Sequence, residues 1–223
     1  GAHPLTYVFD HLNMHGAQAI PVTGTAADRD RAYSSAARSS ISQDRRGACL
    51  RLAREDFENR STLGTGISET LDLLGLTPAE CDLLFDFRYV VVKEVHGLRS
   101  LAFEILQIAT RLGNFRNIIV AGGSIPEQLG KQDQGQVRRE IRVEVGLWAE
   151  LMKAFPIAHA DYGVVSPLYV PPKRVVNVPS RIRYSTEAEH VFRRGGRKEY
   201  GSLCKELVAS PEFAGENFSL GDH

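Results

Sequence analysis

Short apolar runs, each followed by a longer stretch with helical spacing, recur along most of this chain, and that recurrence limits what it can fold into. Residues 17–22, 48–53, 82–92, 117–121 and 157–162 read as strands or strand-bearing segments. Between them, residues 3–15, 26–40, 66–74, 95–112 and 137–155 read as helices. The clearest helix sets Val95, Leu98, Leu101, Ala102, Ile105 and Ile108 on one face. The stretch 137–155 does the same with Ile141, Val145, Trp148 and Met152. Thr77-Pro78-Ala79-Glu80 has capping-box spacing with proline at the first helical position, which predicts one helical turn. Strand starts recur about every 30–40 residues, the length of a βαβ unit.

The runs lack clean alternation, so both faces of the sheet are expected to be covered, as in parallel sheets. Right-handed crossovers then leave an open doubly wound sheet or a barrel. No GxGxxG follows the first strand, which disfavours a dinucleotide-binding open sheet. The expected fold is therefore α/β, built of strand–helix units in a TIM-barrel-like arrangement. Five units do not close an eight-stranded barrel, so the barrel is expected to be partial, with about three units before Gly1. Beyond Tyr162 the pattern changes to a segment rich in proline and valine, then short strands at 181–185 and 190–193, expected to be antiparallel, and a last helix at 199–210. The expected organisation is one α/β domain over 1–223, with strand–helix units over 1–163 and an irregular basic tail over 164–223.

Charge is balanced, 27 basic against 27 acidic residues, so the whole-chain field gives no reason to expect nucleic acid or an anionic membrane. Cys49, Cys81 and Cys204 are odd in number and form no CxxC, which argues against a zinc knuckle or disulfide framework. The apolar runs fall far short of the ~20 residues of a membrane span. Gly1-Ala2-His3-Pro4 shows neither an initiator methionine nor a signal peptide, and a cytoplasmic location is expected.

Several motifs occur in a fixed succession. Gly122-Gly123-Ser124-Ile125-Pro126 is followed by Arg142-Val143-Glu144 with Leu147-Trp148, then Asp161-Tyr162-Gly163 with Pro167, then Ile182-Arg183-Tyr184-Ser185. Arg193-Arg194-Gly195, Leu203-Cys204 and Phe218-Ser219-Leu220-Gly221-Asp222 complete the set. The succession resembles the phage and prophage "beta protein" family over essentially the whole chain. The resemblance implies a barrel-like α/β fold, a setting in mobile elements or near defence genes, and longer members of which this chain is the C-terminal two-thirds. It departs at Val145, where the family pattern is aromatic. It supplies no reaction.

In parallel α/β proteins ligands bind beyond the C-terminal ends of strands. Those ends hold Arg51, Arg54, Asp86, Arg88, Ser124, Asp161 and Tyr162, with Arg183 and Tyr184 arriving from the tail. Guanidinium groups around carboxylates suit a phosphate or carboxylate ligand. On this reading Arg51, Arg88 and Arg183 hold the anion, with Ser124 and Tyr184 in the binding set. Asp86 or Asp161 serves as base, and Tyr162 or Tyr184 orients or donates a proton. The competing reading is that Arg51–Asp86 and Arg88–Asp161 are structural ion pairs. Gly122-Gly123-Ser124 suits an anion-wrapping loop or an ordinary tight turn. His159 and Asp161, two apart on a strand, suit a metal pair with His190 or Asp86, or simply a hydrogen-bonded histidine; no metal or cofactor is assigned. Glu140 and Glu144, four apart in the expected helix, share a face, as a ligand pair would or as an ordinary solvated charged face does.

Lys173, Arg174, Arg181, Arg183, Arg193, Arg194, Arg197 and Lys198 stand against only Glu187 and Glu189 between residues 173 and 198. That surplus suits a phosphorylated small molecule or a nucleic-acid backbone. Neither GxSxG nor HExxH occurs, so serine hydrolases and zincins have little sequence support. The leading expectation is an anion-handling α/β barrel, a hydrolase or lyase acting on a phosphorylated or nucleotide-like substrate. The rival is a non-catalytic scaffold that binds a protein partner or nucleic acid.

Overall fold

In a computed structural model of the chain, the described residues are 3–25, 30–127, 134–168, 179–197 and 199–218. In chain order the elements are α1 (Pro4–Met14), β1 (Val22–Thr23), α2 (Arg31–Asp44), β2 (Ala48–Ala53), α3 (Arg54–Glu58), α4 (Arg60–Leu74), β3 (Cys81–Tyr89), α5 (Val95–Leu112), β4 (Asn117–Gly123), β5 (Val137–Ile141), α6 (Val143–Leu151), β6 (Ala158–Ala160), β7 (Arg181–Ser185), β8 (Glu189–Arg194) and α7 (Tyr200–Val208). Single 3-10 turns precede β3 and α5. The chain divides into two units: residues 1–88, 93–121 and 148–160 form the first, and residues 89–92, 122–147 and 161–223 the second.

The first unit is built on a parallel sheet of order β1-β2-β3-β4-β6. Its central strands carry the expected double-sided burial. Ala48, Cys49, Leu50 and Leu52 of β2 and Cys81, Leu83, Phe85 and Phe87 of β3 are all buried, in a register running from Ala48↔Cys81 to Ala53↔Asp86. Gly47 enters β2 at φ 72°, and a Cβ there would sit 1.8 Å from the carbonyl oxygen of Glu80, so the close approach of β2 to β3 requires glycine. Helix α5 buries Leu98, Ala102, Ile105, Leu106 and Ala109, the face its spacing predicts. Each fully buried Leu or Ile contributes roughly 1.5–3 kcal/mol. Caps mark the helix ends where the sequence supplies them. Asp30 Oδ1 accepts the Tyr33 amide at 2.6 Å to start α2, and Gly75, at φ 70°, ends α4. The predicted turn at Thr77 forms, with Glu80 Oε2 accepting the Thr77 amide at 2.9 Å.

In the second unit β5, β8 and β7 make an antiparallel sheet of that order. One face packs Ile182, Tyr184 and Val191 against Leu203 and Leu207 of α7, so the expected short antiparallel strands and final helix are present. On the other face Phe192 packs against Ile125.

Three expectations are corrected. The strand expected over residues 17–22 is only the two-residue β1. The single helix expected over 137–155 is a strand, β5, followed by a short helix, α6. Ile141 and Met152 are consequently exposed, and the buried residues of α6 are Glu144, Leu147 and Leu151. The reason is tertiary: Val137 and Ile141 suit either state, and pairing of residues 137–141 with β8 decides for strand. Glu140 and Glu144 therefore do not share a helical face. Finally, Gly122 and Gly123 belong to β4 itself, not to a loop that wraps an anion.

Candidate functional site

At the C-terminal end of β2 and β3, the first unit gathers Arg51, Asp86 and Arg88. Asp86 is buried, accepts from Arg51 Nε at 2.9 Å and from Arg51 Nη2, and accepts the backbone amide of Arg88 at 2.9 Å. The Arg88 side chain turns to Glu55 at 2.8 Å, and Arg54 lies 3.3 Å from Glu94. Here each guanidinium is matched by a carboxylate, the ion-pair alternative set out above for Arg51 and Asp86, whereas Arg88 pairs with Glu55. Arg88 also adopts a left-handed backbone, φ 54°, which costs a residue with a Cβ roughly 1–2 kcal/mol. Because the exposed Arg88–Glu55 pair contributes little, Arg88→Gly is expected to stabilise the protein by roughly 0.5–1 kcal/mol, read as a higher midpoint in urea denaturation; a lower midpoint would show that the Arg88 side chain matters more than its backbone.

The second unit holds a denser network. Arg142, which leads into α6, donates from Nε to Glu144 Oε1 at 3.0 Å, from Nη1 to the Thr186 carbonyl at 2.7 Å, and from Nη2 to Asp161 Oδ2. Asp161 is further fixed by accepting the Gly163 amide at 2.8 Å. Glu144 and His190 are both buried, with His190 Nε2 3.6 Å from Glu144 Oε1. On the other side of the ring, His190 Nδ1 lies 2.7 Å from Ser185 Oγ. Burial alone would raise the Glu144 pKa; His190, Ser124, its own backbone amide and Arg142 outweigh it and bring the carboxyl down to about 2. Glu144 is thus ionised at neutral pH. His190 Nε2 makes no hydrogen bond among the described residues and faces the Glu144 carboxylate across 3.6 Å; the ring tautomer that places its hydrogen on Nε2 leaves Nδ1 to accept from the Ser185 hydroxyl. Glu144 Oε2 has no hydrogen-bond partner among the described residues, which is costly for a buried carboxylate.

Strand register extends this network across a surface. Arg183 pairs with Phe192 and Phe192 with Arg138; Ser185 pairs with His190 and His190 with Glu140; Arg181 pairs with Arg194. Partners across a ladder and alternate residues along a strand share a face. One face of the sheet therefore carries Arg138, Arg181, Arg183 and Arg194 together with Glu140, Ser185, His190 and Phe192, and Arg138 Nε donates to Glu140 at 2.7 Å. The Arg183 guanidinium donates to the Val164 carbonyl at 3.3 Å. Tyr184 points the other way, into the α7 core, where its hydroxyl accepts the Ala214 amide at 3.1 Å. Ser124 is buried and donates to the Ile141 carbonyl at 3.1 Å, and Tyr162 lies 3.5 Å from where a Cβ on Gly123 would project.

Of the residues the sequence nominates, Arg51, Asp86 and Arg88 lie in the first unit, and Ser124, Asp161, Tyr162, Arg183 and Tyr184 in the second. Lys173, Arg174 and Lys198 lie outside the described residues. His159 stacks on Trp148 at 5.1 Å between ring centroids. Among the described residues no group of three or more His, Cys, Asp or Glu side chains is placed to hold a metal ion.

A family model described as Beta protein matches residues 1–223. The chain belongs to the Beta protein family. Among curated proteins and among solved structures, none matches it. In this Beta protein family member, the motifs that carry the resemblance meet in one place: Ser124, Arg142, Glu144, Asp161 and Ser185 each come from one of them, and all lie in the second unit. Sequence reasoning named His190 only as a metal ligand and Glu144 only as the partner of Glu140, and did not bring the two together. The available signal was the Arg142-Val143-Glu144 motif, which a helical reading of residues 137–155 turned into part of a solvated face.

Proposed function

We propose that this protein is an anion-handling enzyme, a hydrolase or lyase of a phosphorylated or nucleotide-like substrate, with its chemistry at Glu144 and His190 and its anion held by the arginine-bearing face of the β5-β8-β7 sheet. The observation that carries this reading is a buried, ionised carboxylate beside a buried histidine, on the sheet face that also carries four arginines. A histidine whose tautomer is fixed by a carboxylate is a general base. Arginine supplies paired donors to phosphate oxygens. Arg142, already committed to Glu144, Asp161 and the Thr186 carbonyl, positions the carboxylates; Arg183 is the residue assigned to the ligand.

The first unit is read as part of a TIM-barrel-like arrangement. Its strand order never reverses along the chain, the order that successive right-handed crossovers lay down in a barrel. A cytoplasmic location accords with Cys49, Cys81 and Cys204 all being free, and no helix among the described residues is long and apolar enough to cross a membrane. The family resemblance supports a role in phage or prophage biology or in defence against phage.

The test is turnover of p-nitrophenyl phosphate, bis-p-nitrophenyl phosphate and a nucleoside triphosphate by the purified protein. Hydrolysis of at least one is expected, with His190→Gln lowering kcat on the order of 10²-fold or more. Arg183→Ala is expected to act mainly on KM. Binding of a nucleotide or oligonucleotide without turnover, weakening steeply with salt, would instead establish the non-catalytic scaffold.

A further inference from the structure

We infer that Ser185 is a covalent nucleophile, activated by His190 and Glu144, and that it takes the phosphoryl group of a phosphate ester or anhydride. The inference rests on the acid–base reading above and assigns that site its reaction. Ser185 Oγ lies 2.7 Å from His190 Nδ1, and the far nitrogen of the same ring faces Glu144 Oε1 at 3.6 Å. Hydroxyl, imidazole and carboxylate thus follow one another, a hydrogen bond joining the first two and a 3.6 Å approach the last two, the order of groups by which a serine hydroxyl is activated on unrelated folds. The ring is used in the reverse sense from the commonest form, with Nδ1 toward the serine and Nε2 toward the carboxylate. Nothing in proton transfer distinguishes the two senses, provided each nitrogen meets the right partner.

The surroundings select the substrate. Ser185 ends β7 at a half-buried position, whereas His190 and Glu144 are buried. The hydroxyl is therefore the member of the three that meets a ligand. Arg183 precedes it by two residues on the same strand face, at a spacing of roughly 7 Å, within reach of an oxygen on a phosphorus bound at Ser185. Sequence spacing gave no hint of this, because the three residues come from α6, β7 and β8 and no GxSxG surrounds Ser185.

The reaction balances within these groups. Ser185 Oγ attacks phosphorus as its proton passes to His190 Nδ1, and the imidazolium faces Glu144. The bond from phosphorus to the leaving oxygen breaks, and that oxygen takes the proton from His190, releasing an alcohol, or a phosphate if the substrate is an anhydride. Water then attacks the phosphoserine, giving one proton to His190. The P–O bond to Ser185 breaks, Ser185 recovers its proton from His190, and inorganic phosphate leaves.

Diisopropyl fluorophosphate tests the nucleophile without knowledge of the substrate, since attack on its phosphorus expels fluoride and leaves a stable serine adduct. Intact-mass and peptide analysis of the wild-type protein are expected to show one adduct, at Ser185. Ser185→Ala should give none while keeping its melting curve, and His190→Gln should label on the order of 10²-fold more slowly. An unlabelled wild type, or Ser185→Ala labelled as fast as wild type, overturns the inference. If His190→Gln does not fold, the Ser185→Ala comparison decides by itself. Turnover that survives in Ser185→Ala would overturn the nucleophile and leave the acid–base reading standing. Labelling at Ser185 with no phosphate-ester turnover would keep the nucleophile and overturn the phosphate substrate.

Discussion

Glu144→Gln is expected to destabilise the protein at neutral pH by about 3 kcal/mol, the energy that corresponds to a carboxyl brought from its ordinary value of 4.5 to about 2. The cause is the buried surroundings of Glu144. Arg142 and His190 are set against its charge, and a neutral amide keeps an acceptor oxygen for Arg142 but removes the charge that both groups face. The sign of the pH dependence follows. A carboxyl whose pKa is depressed in the folded state contributes its full stabilisation above the unfolded value, near 4.5, and loses it as pH falls toward about 2. The gap between wild type and Glu144→Gln should therefore be widest above pH 5 and narrow steadily from there to pH 2. Urea denaturation of both proteins at pH 7, 4 and 3 measures it. A gap that stays constant with pH would mean that the network does not hold Glu144 ionised. The same substitution should lower any turnover on the order of 10²- to 10⁴-fold, since the carboxylate that fixes the base is lost.

The second large effect is expected at Asp86. Asp86→Ala should cost about 2–3 kcal/mol, and Asp86→Asn about half as much. Breaking a fully buried pair costs about 3–5 kcal/mol, but the Arg51 side chain is 48% exposed and can rehydrate once released, so the lower figure applies. What cannot be recovered is the acceptor for the Arg88 amide, which holds the left-handed turn at the end of β3. Asparagine keeps that acceptor and loses only the charge. At roughly 2–4 °C per kcal/mol for a chain of this size, Asp86→Ala should melt about 4–12 °C below wild type. A variant as stable as wild type would return Asp86 to the list of catalytic candidates, because a residue kept for chemistry can often be replaced without loss of stability.

These two residues also mark where sequence reasoning worked and where it did not. Asp86 was legible as a strand-end carboxylate, and its pairing with Arg51 was one of two readings that spacing left open; only coordinates show the guanidinium already matched. Strands with both faces buried announce themselves through unbroken apolar runs, which is why β2 and β3 stand where they were expected, and α5 does so through an apolar face repeated over 18 residues. The role of Glu144 was hidden because Ile141, Val145, Trp148 and Met152 recur at helical intervals, and a period over so few residues does not distinguish a helix from a strand followed by one. Ser185 and His190 were hidden differently. They lie in a recognised pair of short strands, but what they do depends on being cross-strand partners beneath Glu144.

By itself the sequence determined the class of fold, the parallel pairing of buried strands, the antiparallel tail and the family. All of these follow from local pattern, from the order of elements, or from motifs read along one chain. Only the tertiary structure decided that residues 137–141 pair with β8, that Glu144 is buried, and that His190 lies between Glu144 and Ser185. The reason is that a charge's partners, and hence its protonation and its use, are set by neighbours from distant parts of the chain, and no local pattern encodes which neighbours those will be.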